Sequence, residues 1–503
     1  MSQVISLYNS LSRNKEVFEP INAPFVGMYL CGPTVYGDPH LGHARSATTF
    51  DIIYRYLSHC GYKVRYVRNI TDVGHLENDT DDGDDKIAKR ARLEKLEPME
   101  VVQLYTNAYH EMMDKLNIVR PSIEPRASAH IIEQIEMIEK IVAAGLAYVS
   151  NGSVYFDVLK YNESENYGEL SGRILEDLIA HAGESRRTLE GKEEKKNSFD
   201  FALWKKASPE HIMRWNSPWS LGFPGWHIEC SAMSNKYLGE HFDIHGGGLD
   251  LLFPHHECEI AQSKAANHCN PAKYWMHNNM VTINGKKMGK SLGNAINLNE
   301  FFTGDHALLT QAYHPITVRF FFLQAHYRST LDFSNEALQA AEKGLKKMIN
   351  GLRTAKSMTY VPDTNVSLDT ELDTAIQQEC QEVYDGLNAD FNTAMSIAAL
   401  YNLLKRINSF KAKLLALNSI SQATFEKLVQ TFVSINEEVL GVSESKMLEG
   451  ASPIAMLDAW MESYQQARAN KDFALVDTIR ANFKANQIII KDSKEGSEWA
   501  YEE

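Results

Sequence analysis

Residues Phe25-Val26-Gly27-Met28-Tyr29-Leu30 form an almost unbroken apolar run, and Cys31-Gly32-Pro33 stops it. A short continuous apolar stretch closed by Gly and Pro predicts a buried strand. Beyond it, Ala47, Phe50, Tyr54 and Leu57 recur at helical spacing, and Gly61 follows. This predicts a helix that starts near Leu41 and stops before Gly61, because glycine tolerates the left-handed turn that ends helices. Val64-Arg65-Tyr66-Val67-Arg68 predicts the next strand. Strand, helix and strand within residues 25–69 predict a βαβ unit of a doubly wound sheet.

The pattern then changes character several times. Residues 74–83 carry Asp79, Asp81 and Asp82 and predict a solvated loop. Residues 98–145 are mainly helical in pattern. Residues 146–200 suggest short strands and loops, with a charged tract at 190–196 expected on the surface. From Asn335 the helical period dominates, in Leu338, Ala341, Leu345, Met348 and Leu352, and again in Ile397, Leu400, Leu404 and Ile407. Residues 363–367 and 441–452 are expected as connections. The tail has Trp460, Tyr464, Phe473, Val476, Ile479 and Phe483 at helical spacing, then a predicted strand at Ile488-Ile489-Ile490.

The length of 503 residues fits about three or four domains. A hydrophobic fraction of 44% with 23% charged residues is that of a globular chain with a large core. No stretch approaches the ~18 apolar residues that a membrane span requires, and the amino terminus lacks a signal-peptide pattern. A cytoplasmic protein with no membrane partner is expected. Six scattered cysteines do not form a disulfide framework, so buried thiols or metal ligands are the better readings. The net charge of −14 argues against a partner held by bulk phosphate attraction and leaves room only for a local basic patch.

Four segments carry candidate chemistry. His40-Leu41-Gly42-His43 stands at the predicted helix start, where free N–H groups and the helix dipole favour an anion; the plain alternative is an exposed helix start. Gly285-Lys286-Lys287-Met288-Gly289-Lys290-Ser291 offers three mobile ammonium groups for a triphosphate, or is an ordinary basic surface loop. His245-Gly246-Gly247-Gly248-Leu249-Asp250 allows close backbone approach and an acid for ribose hydroxyls, or is a tight turn between strand and helix. Pro254-His255-His256-Glu257-Cys258-Glu259 differs in kind. On a helix His255 and Glu259 share a face, and imidazole, carboxylate and thiolate all ligate zinc. Cys230 and Cys31 are candidates to complete such a site, and each is also readable as a small buried hydrophobe.

Taken together these segments resemble the class I aminoacyl-tRNA synthetases, and among them the cysteinyl-tRNA synthetase family. His40-Leu41-Gly42-His43 is similar to the family's HIGH signature, and Lys287-Met288-Gly289-Lys290-Ser291 to KMSKS. Tyr29-Leu30-Cys31-Gly32-Pro33-Thr34-Val35-Tyr36, Gly225-Trp226-His227-Ile228-Glu229-Cys230 and Phe253-Pro254-His255-His256-Glu257 narrow the resemblance to cysteine. Arg68-Asn69-Ile70-Thr71-Asp72, Ala325-His326-Tyr327-Arg328-Ser329 and Asp390-Phe391-Asn392-Thr393 extend it over nearly the whole chain.

The resemblance implies an α/β fold. A Rossmann-type catalytic domain spans 1–125 and 216–334, interrupted by a connective insertion at 126–215. A helical bundle for tRNA follows at 335–441, then a small mixed α/β anticodon-recognition module at 451–503. It implies a catalytic set of His40, His43, Lys287 and Lys290, ATP contacts at Gly42, Gly247, Asp250 and Lys290, and a cysteine pocket with Gly32, Thr71 and Trp226. It implies one Zn2+ per chain on Cys31, Cys230, His255 and Glu259, and Mg2+ with ATP. The partners are ATP, L-cysteine and tRNA(Cys), and a monomer is expected. The reaction implied is activation of cysteine to its adenylate and transfer to the terminal adenosine of the tRNA.

Three departures stand out. Gly289 replaces the usual Ser, Cys258 stands where the family usually has Asn, and residues 74–83 lengthen a connection that many relatives make directly. Two other readings use the same residues. One is a ligase joining activated cysteine to a small amine, against which the long region after Asn335 speaks. The other is a non-catalytic zinc protein that binds RNA, against which the acidity and the two phosphate-type loops speak.

Overall fold

The computed structural model describes residues 4–76, 85–175, 194–209, 211–288, 294–363, 366–447, 454–493 and 496–502. Lys290, Gly289 and most of the 190–196 tract lie outside the described residues, as does the acidic part of residues 74–83. An antiparallel hairpin, β1 (Ser6–Asn9) and β2 (Asn14–Val17), precedes β3 (Phe25–Leu30). Helix α1 (Leu41–His59) leads to β4 (Lys63–Arg68), matching the βαβ reading. Helix α2 (Lys86–Glu94) precedes the expected helical stretch, in which α3 (Pro98–Lys115) and α4 (Ile131–Ala143) lie.

The region expected as an insertion carries a separate antiparallel sheet. It comprises β5 (Ala147–Ser150), β6 (Ser153–Phe156), β7 (Phe201–Lys206), β8 (Trp215–Asn216) and β9 (Leu221–Pro224), in the order β5-β6-β7-β9-β8. It runs past the expected boundary at 215, because β9 pairs with β7 across the whole of 222–224. Helix α5 (Trp226–Leu238) then returns the chain to the main sheet through β10 (Phe242–Gly248), α6 (Glu257–Asn267) and β11 (Ala272–Asn278).

The main sheet is all parallel, in the order β11-β10-β3-β4. The glycine run at 246–248 is therefore the end of a strand and not a turn. Packing explains it. A Cβ on Gly246 would lie 2.1 Å from a ring carbon of Phe50 on α1, so only glycine lets the helix seat on the strand.

A small sheet follows, with β12 (Val281–Ile283) between β13 (Lys286–Lys287) and β14 (Leu331–Phe333). The helical region comprises α7 (Pro315–Leu323), α8 (Asn335–Ser357), α9 (Thr370–Asn388), α10 (Thr393–Lys411) and α11 (Gln422–Ser434). The tail is α12 (Ile454–Ala469), α13 (Phe473–Ala485) and a hairpin of β15 (Ile488–Ser493) and β16 (Gly496–Tyr501). It docks on α8, where the Arg353 guanidinium stacks on Trp499 and Asn350 bonds the Tyr501 backbone. Among the described residues no helix is long and apolar enough to cross a membrane.

Asp390 ties three parts together. Its buried carboxylate accepts from the Tyr8 N–H at 2.9 Å, the Tyr327 hydroxyl at 2.7 Å and Arg328 Nε at 2.8 Å. Burial alone would raise this carboxyl. Hydrogen bonds from His326, Tyr327 and the Tyr8 N–H, with the Arg328 charge, overcome it and hold the group below the ordinary carboxylate range. A depressed carboxylate stabilises the fold above its unfolded-state pKa, near 4, and that contribution is lost as pH falls through the lower folded value. Asp390→Asn should therefore cost about 1.5–3 kcal/mol at pH 7, the range for hydrogen bonds to a charged group. The gap in urea stability to the parent chain should narrow as pH is lowered from 5 towards 3. A gap that stays constant over this range would show that the charge is not what binds these segments.

Candidate active site and metal centre

β3 and β10 are adjacent, and the chain leaves them in opposite directions, to β4 through α1 and to β11 through α6. Their carboxyl ends thus open the crevice in which doubly wound sheets bind ligands. Cys31 directly follows β3, and its N–H donates to the Gly246 carbonyl at 3.2 Å.

Cys31, Cys230, His255 and Glu259 each bring one ligand atom to this point, all within 4.8 Å of one another. The two sulfurs are 3.6 Å apart, and Glu259 Oε1 lies 3.4 Å from Cys31 Sγ and 3.2 Å from His255 Nε2. Cys230 sits in α5. His255 and Glu259 do not share the regular helix that their spacing suggested. Phe253 is extended (φ −140°, ψ 132°), residues 252–256 are widely wound, and α6 begins only at Glu257.

Burial raises the Cys230 thiol above its ordinary pKa and pushes the His255 imidazole well below its own. A neutral imidazole is the ligating form. Two thiols, an imidazole and a carboxylate are the donors of a borderline-soft divalent ion such as zinc. The surroundings fit that use. His227 Nδ1 lies 2.8 Å from His255 Nδ1, so His255 turns Nε2 to the cluster, and His245 Nε2 holds the second oxygen of Glu259 at 2.8 Å.

Sequence reading missed the depth of this histidine set. His256 Nε2 approaches Cys31 Sγ at 3.3 Å, and His256 Nδ1 meets His277, which in turn meets Ser10 Oγ, each at 2.8 Å. Cys31, His245, His256 and Glu259 form a second group within the same distance limit. The pairing of His255 with His256 was the available signal; His277, alone in an apolar strand, offered none. Cys258 joins neither group. Its sulfur lies 3.4 Å from the Tyr167 hydroxyl in the core of the insertion, so it does not compete as a ligand.

Gly32 and Thr71 belong to one hydrogen-bonded wall beside the cluster. The Gly32 N–H donates to Asn69 Oδ1 at 2.9 Å, Asn69 Nδ2 donates to Thr71 Oγ1 at 3.1 Å, and Thr71 donates to Glu229 at 3.0 Å. A Cβ on Gly32 would fall 1.6 Å from the Asn69 carbonyl oxygen, so the position requires glycine. Trp226, half-buried at the start of α5, lays its indole 4.3 Å from the His255 ring.

The chain leaving β3 reaches the two histidines of the helix start. His40 caps α1, its Nδ1 accepting from the Gly42 N–H at 3.1 Å, while His43 Nδ1 accepts from the His40 N–H at 3.2 Å. In the neutral rings each hydrogen must then sit on Nε2. The rings stack at 3.9 Å, presenting paired N–H donors beside a helix N-terminus. Met288 reaches over this turn, within 3.8 Å of where a Gly42 side chain would begin, and His40 bridges to Asn297. Met288 is thereby brought to the helix start, and Lys287 beside it is exposed on β13. Gly247 is packed by His256 and Leu251, and exposed Asp250 turns its carboxylate back beside Gly248.

Residues 17–343 match the family of class I (C) tRNA synthetase catalytic domains, and residues 382–444 match the DALR domain. The chain is 59% identical over 503 residues to a cysteine–tRNA ligase of Cytophaga hutchinsonii, covering 100% of both chains. It is 56% identical over 502 residues to the cysteine–tRNA ligase of Bacteroides thetaiotaomicron, covering 99% of each. Among solved structures, methionyl-tRNA synthetase of Mycobacterium tuberculosis bound by methionyl-adenylate aligns with a TM-score of 0.57 at 15% identity, covering 85% of this chain and 94% of that one. A leucyl-tRNA synthetase complex from Agrobacterium radiobacter aligns with a TM-score of 0.56 at 12% identity, covering 87% of each chain. At such identities these structures speak for the fold alone, whereas the near full-length sequence matches speak for kinship: the chain belongs to the class I tRNA synthetases, in the family of the cysteine–tRNA ligases.

Proposed function

We propose that this protein activates L-cysteine with ATP to cysteinyl-adenylate and transfers it to the 3′-terminal adenosine of tRNA(Cys). The observation that carries the reading is the thiol, imidazole and carboxylate cluster at the carboxyl end of β3, with the stacked His40 and His43 at the start of the helix that follows that strand. In the first step a cysteine carboxylate oxygen attacks the α-phosphorus of ATP, an oxygen–phosphorus bond forms, and the bond from that phosphorus to pyrophosphate breaks. The nucleophile is already ionised, so no general base is needed. The Nε2 donors of His40 and His43, with Lys287 and Lys290, stabilise the charge that spreads over the phosphates. Gly42, Gly247 and Asp250 are assigned to the nucleotide, and Mg2+ arrives with ATP.

Gly32, Thr71 and Trp226 are assigned to the cysteine. Cys31, Cys230, His255 and Glu259 would hold one zinc, which when bound supplies a soft Lewis acid that favours a thiolate over a hydroxyl or a methyl group. Trp226 and the Gly32–Thr71 wall shape the space beside these ligands. In the second step a ribose hydroxyl of the terminal adenosine attacks the activated carbonyl and releases AMP. The helical bundle and tail are assigned to the tRNA, and the enzyme is taken as a cytoplasmic monomer.

ATP–pyrophosphate exchange tests the reading directly. Cysteine should support exchange while serine and alanine do not, and tRNA(Cys) should then be charged. No exchange with cysteine sinks the proposal. Lys290→Ala should lower the exchange rate by roughly 10²–10³ with little change in cysteine KM, as loss of a transition-state contact does. An unchanged rate removes Lys290 from the mechanism.

Metal binding has a required pH dependence. The Cys230 thiol is held above its ordinary pKa by burial, so a ligand proton must leave when the ion enters. Zinc affinity, measured by competition with a chelator between pH 6 and 8, should rise about tenfold or more per pH unit. An affinity independent of pH would exclude the thiols as ligands.

A further inference from the structure

Trp226 is clamped between two imidazoles. His255 lies on one side at 4.3 Å, and on the other His75 stacks at 4.0 Å with only 12° between the planes. His75 follows Gly74 at the start of the 74–83 segment. It is 7% exposed and is engaged through both ring nitrogens. Nε2 lies 2.7 Å from Lys86 Nζ, and Nδ1 lies 2.5 Å from Thr34 Oγ1. A lysine ammonium can only donate, so Nε2 accepts and the Nδ1 hydrogen faces Thr34. The backbone fixes the same pair, with the Lys86 N–H donating to the His75 carbonyl at 3.0 Å and Leu76 bridging Asp85. Gly74, at φ +77°, makes the approach possible, since a Cβ there would lie 2.5 Å from the Pro224 carbonyl oxygen.

We propose that His75 is a positioning residue that sets the width of the amino-acid pocket by pinning the Trp226 indole against His255. The inference rests on the reading that cysteine enters beside Trp226. Its logic is steric. With His75 in place the indole is packed on both faces and cannot recede. Without that ring one face loses its contacts, the indole can tilt into the space, and the pocket admits a longer thiol. A wall that senses one methylene discriminates by roughly 10–200-fold, which makes homocysteine the informative probe.

The zinc-loaded full chain and its His75→Ala, His75→Phe and His75→Gln variants would be compared by calorimetric binding and by pyrophosphate exchange, with cysteine and with homocysteine. Phe keeps a flat ring and loses both hydrogen bonds; Gln keeps polar atoms and loses the ring. His75→Ala and His75→Gln should weaken cysteine binding about tenfold and reduce the preference for cysteine over homocysteine about tenfold, with ATP KM and zinc content unchanged. His75→Phe should retain most of the preference. A preference unchanged in His75→Ala overturns the proposal, as does a His75→Phe variant as impaired as Ala at equal Tm. If cysteine binds but the parent chain supports no exchange, the catalytic reading fails while the stack is still judged by the binding preference.

Discussion

A buried cluster of two thiols, an imidazole and a carboxylate is the constraint to which the surrounding structure answers. Each group is costly to bury alone, and each comes from a different place: the end of β3, the first half of α5, the kinked turn at 252–256 and the start of α6. Bringing them together requires β10 to lie beside β3 and α1 to press closely on both. The glycine run serves this purpose. Gly246 accommodates Phe50 of α1, and Gly247 accommodates His256, whose ring stands 3.3 Å from the Cys31 sulfur. A side chain at either position would push apart the elements that deliver these four groups.

Local signals in the sequence were enough for β3, α1 and β4, because an apolar run, a helical period and a terminal glycine all lie within one short segment. The pairing of residues 244–246 with 28–30 left no comparable trace, so the glycine run was ambiguous between strand end and turn. The inserted sheet extends to Pro224 for the same reason: β9 is defined by its partner β7 and not by its own alternation. In the site, residue chemistry alone left Cys31 and Cys230 open as simple buried thiols. Residue chemistry named them as candidates, the family resemblance preferred the ligand reading, and their mutual distance is a property of the fold. His75, His277 and Asn69 were silent as lone polar residues. Their roles come from what they touch, which no spacing rule encodes.

The two halves of the crevice are mechanically joined through α1. Its first turn carries His40 and His43, and its second carries Arg45, which is 2% exposed. The Arg45 guanidinium donates to the carbonyls of Asn279, His326, Tyr327 and Ser329, and burial lowers its pKa to about 10. These carbonyls adjoin the Tyr327 and Arg328 side chains that grip Asp390 on the helical side.

Carbonyl acceptors make this clamp directional. A carboxylate partner could follow the guanidinium through several rotamers. Backbone oxygens from two loops present one geometry, and a shift of either loop leaves a buried donor unpaired at a cost of about 1–3 kcal/mol. The helix start that presents the Nε2 donors is therefore registered against the 326–329 loop, and through Asp390 against the helical region assigned to the tRNA. Lys287 is registered from the other side, since the Leu298 N–H donates to the Pro39 carbonyl and Asn294 bonds the Lys287 carbonyl. Movement of the helical region would thus reach His40 and His43 as a displacement of α1 as a whole, because the buried arginine leaves the loop little freedom to absorb it.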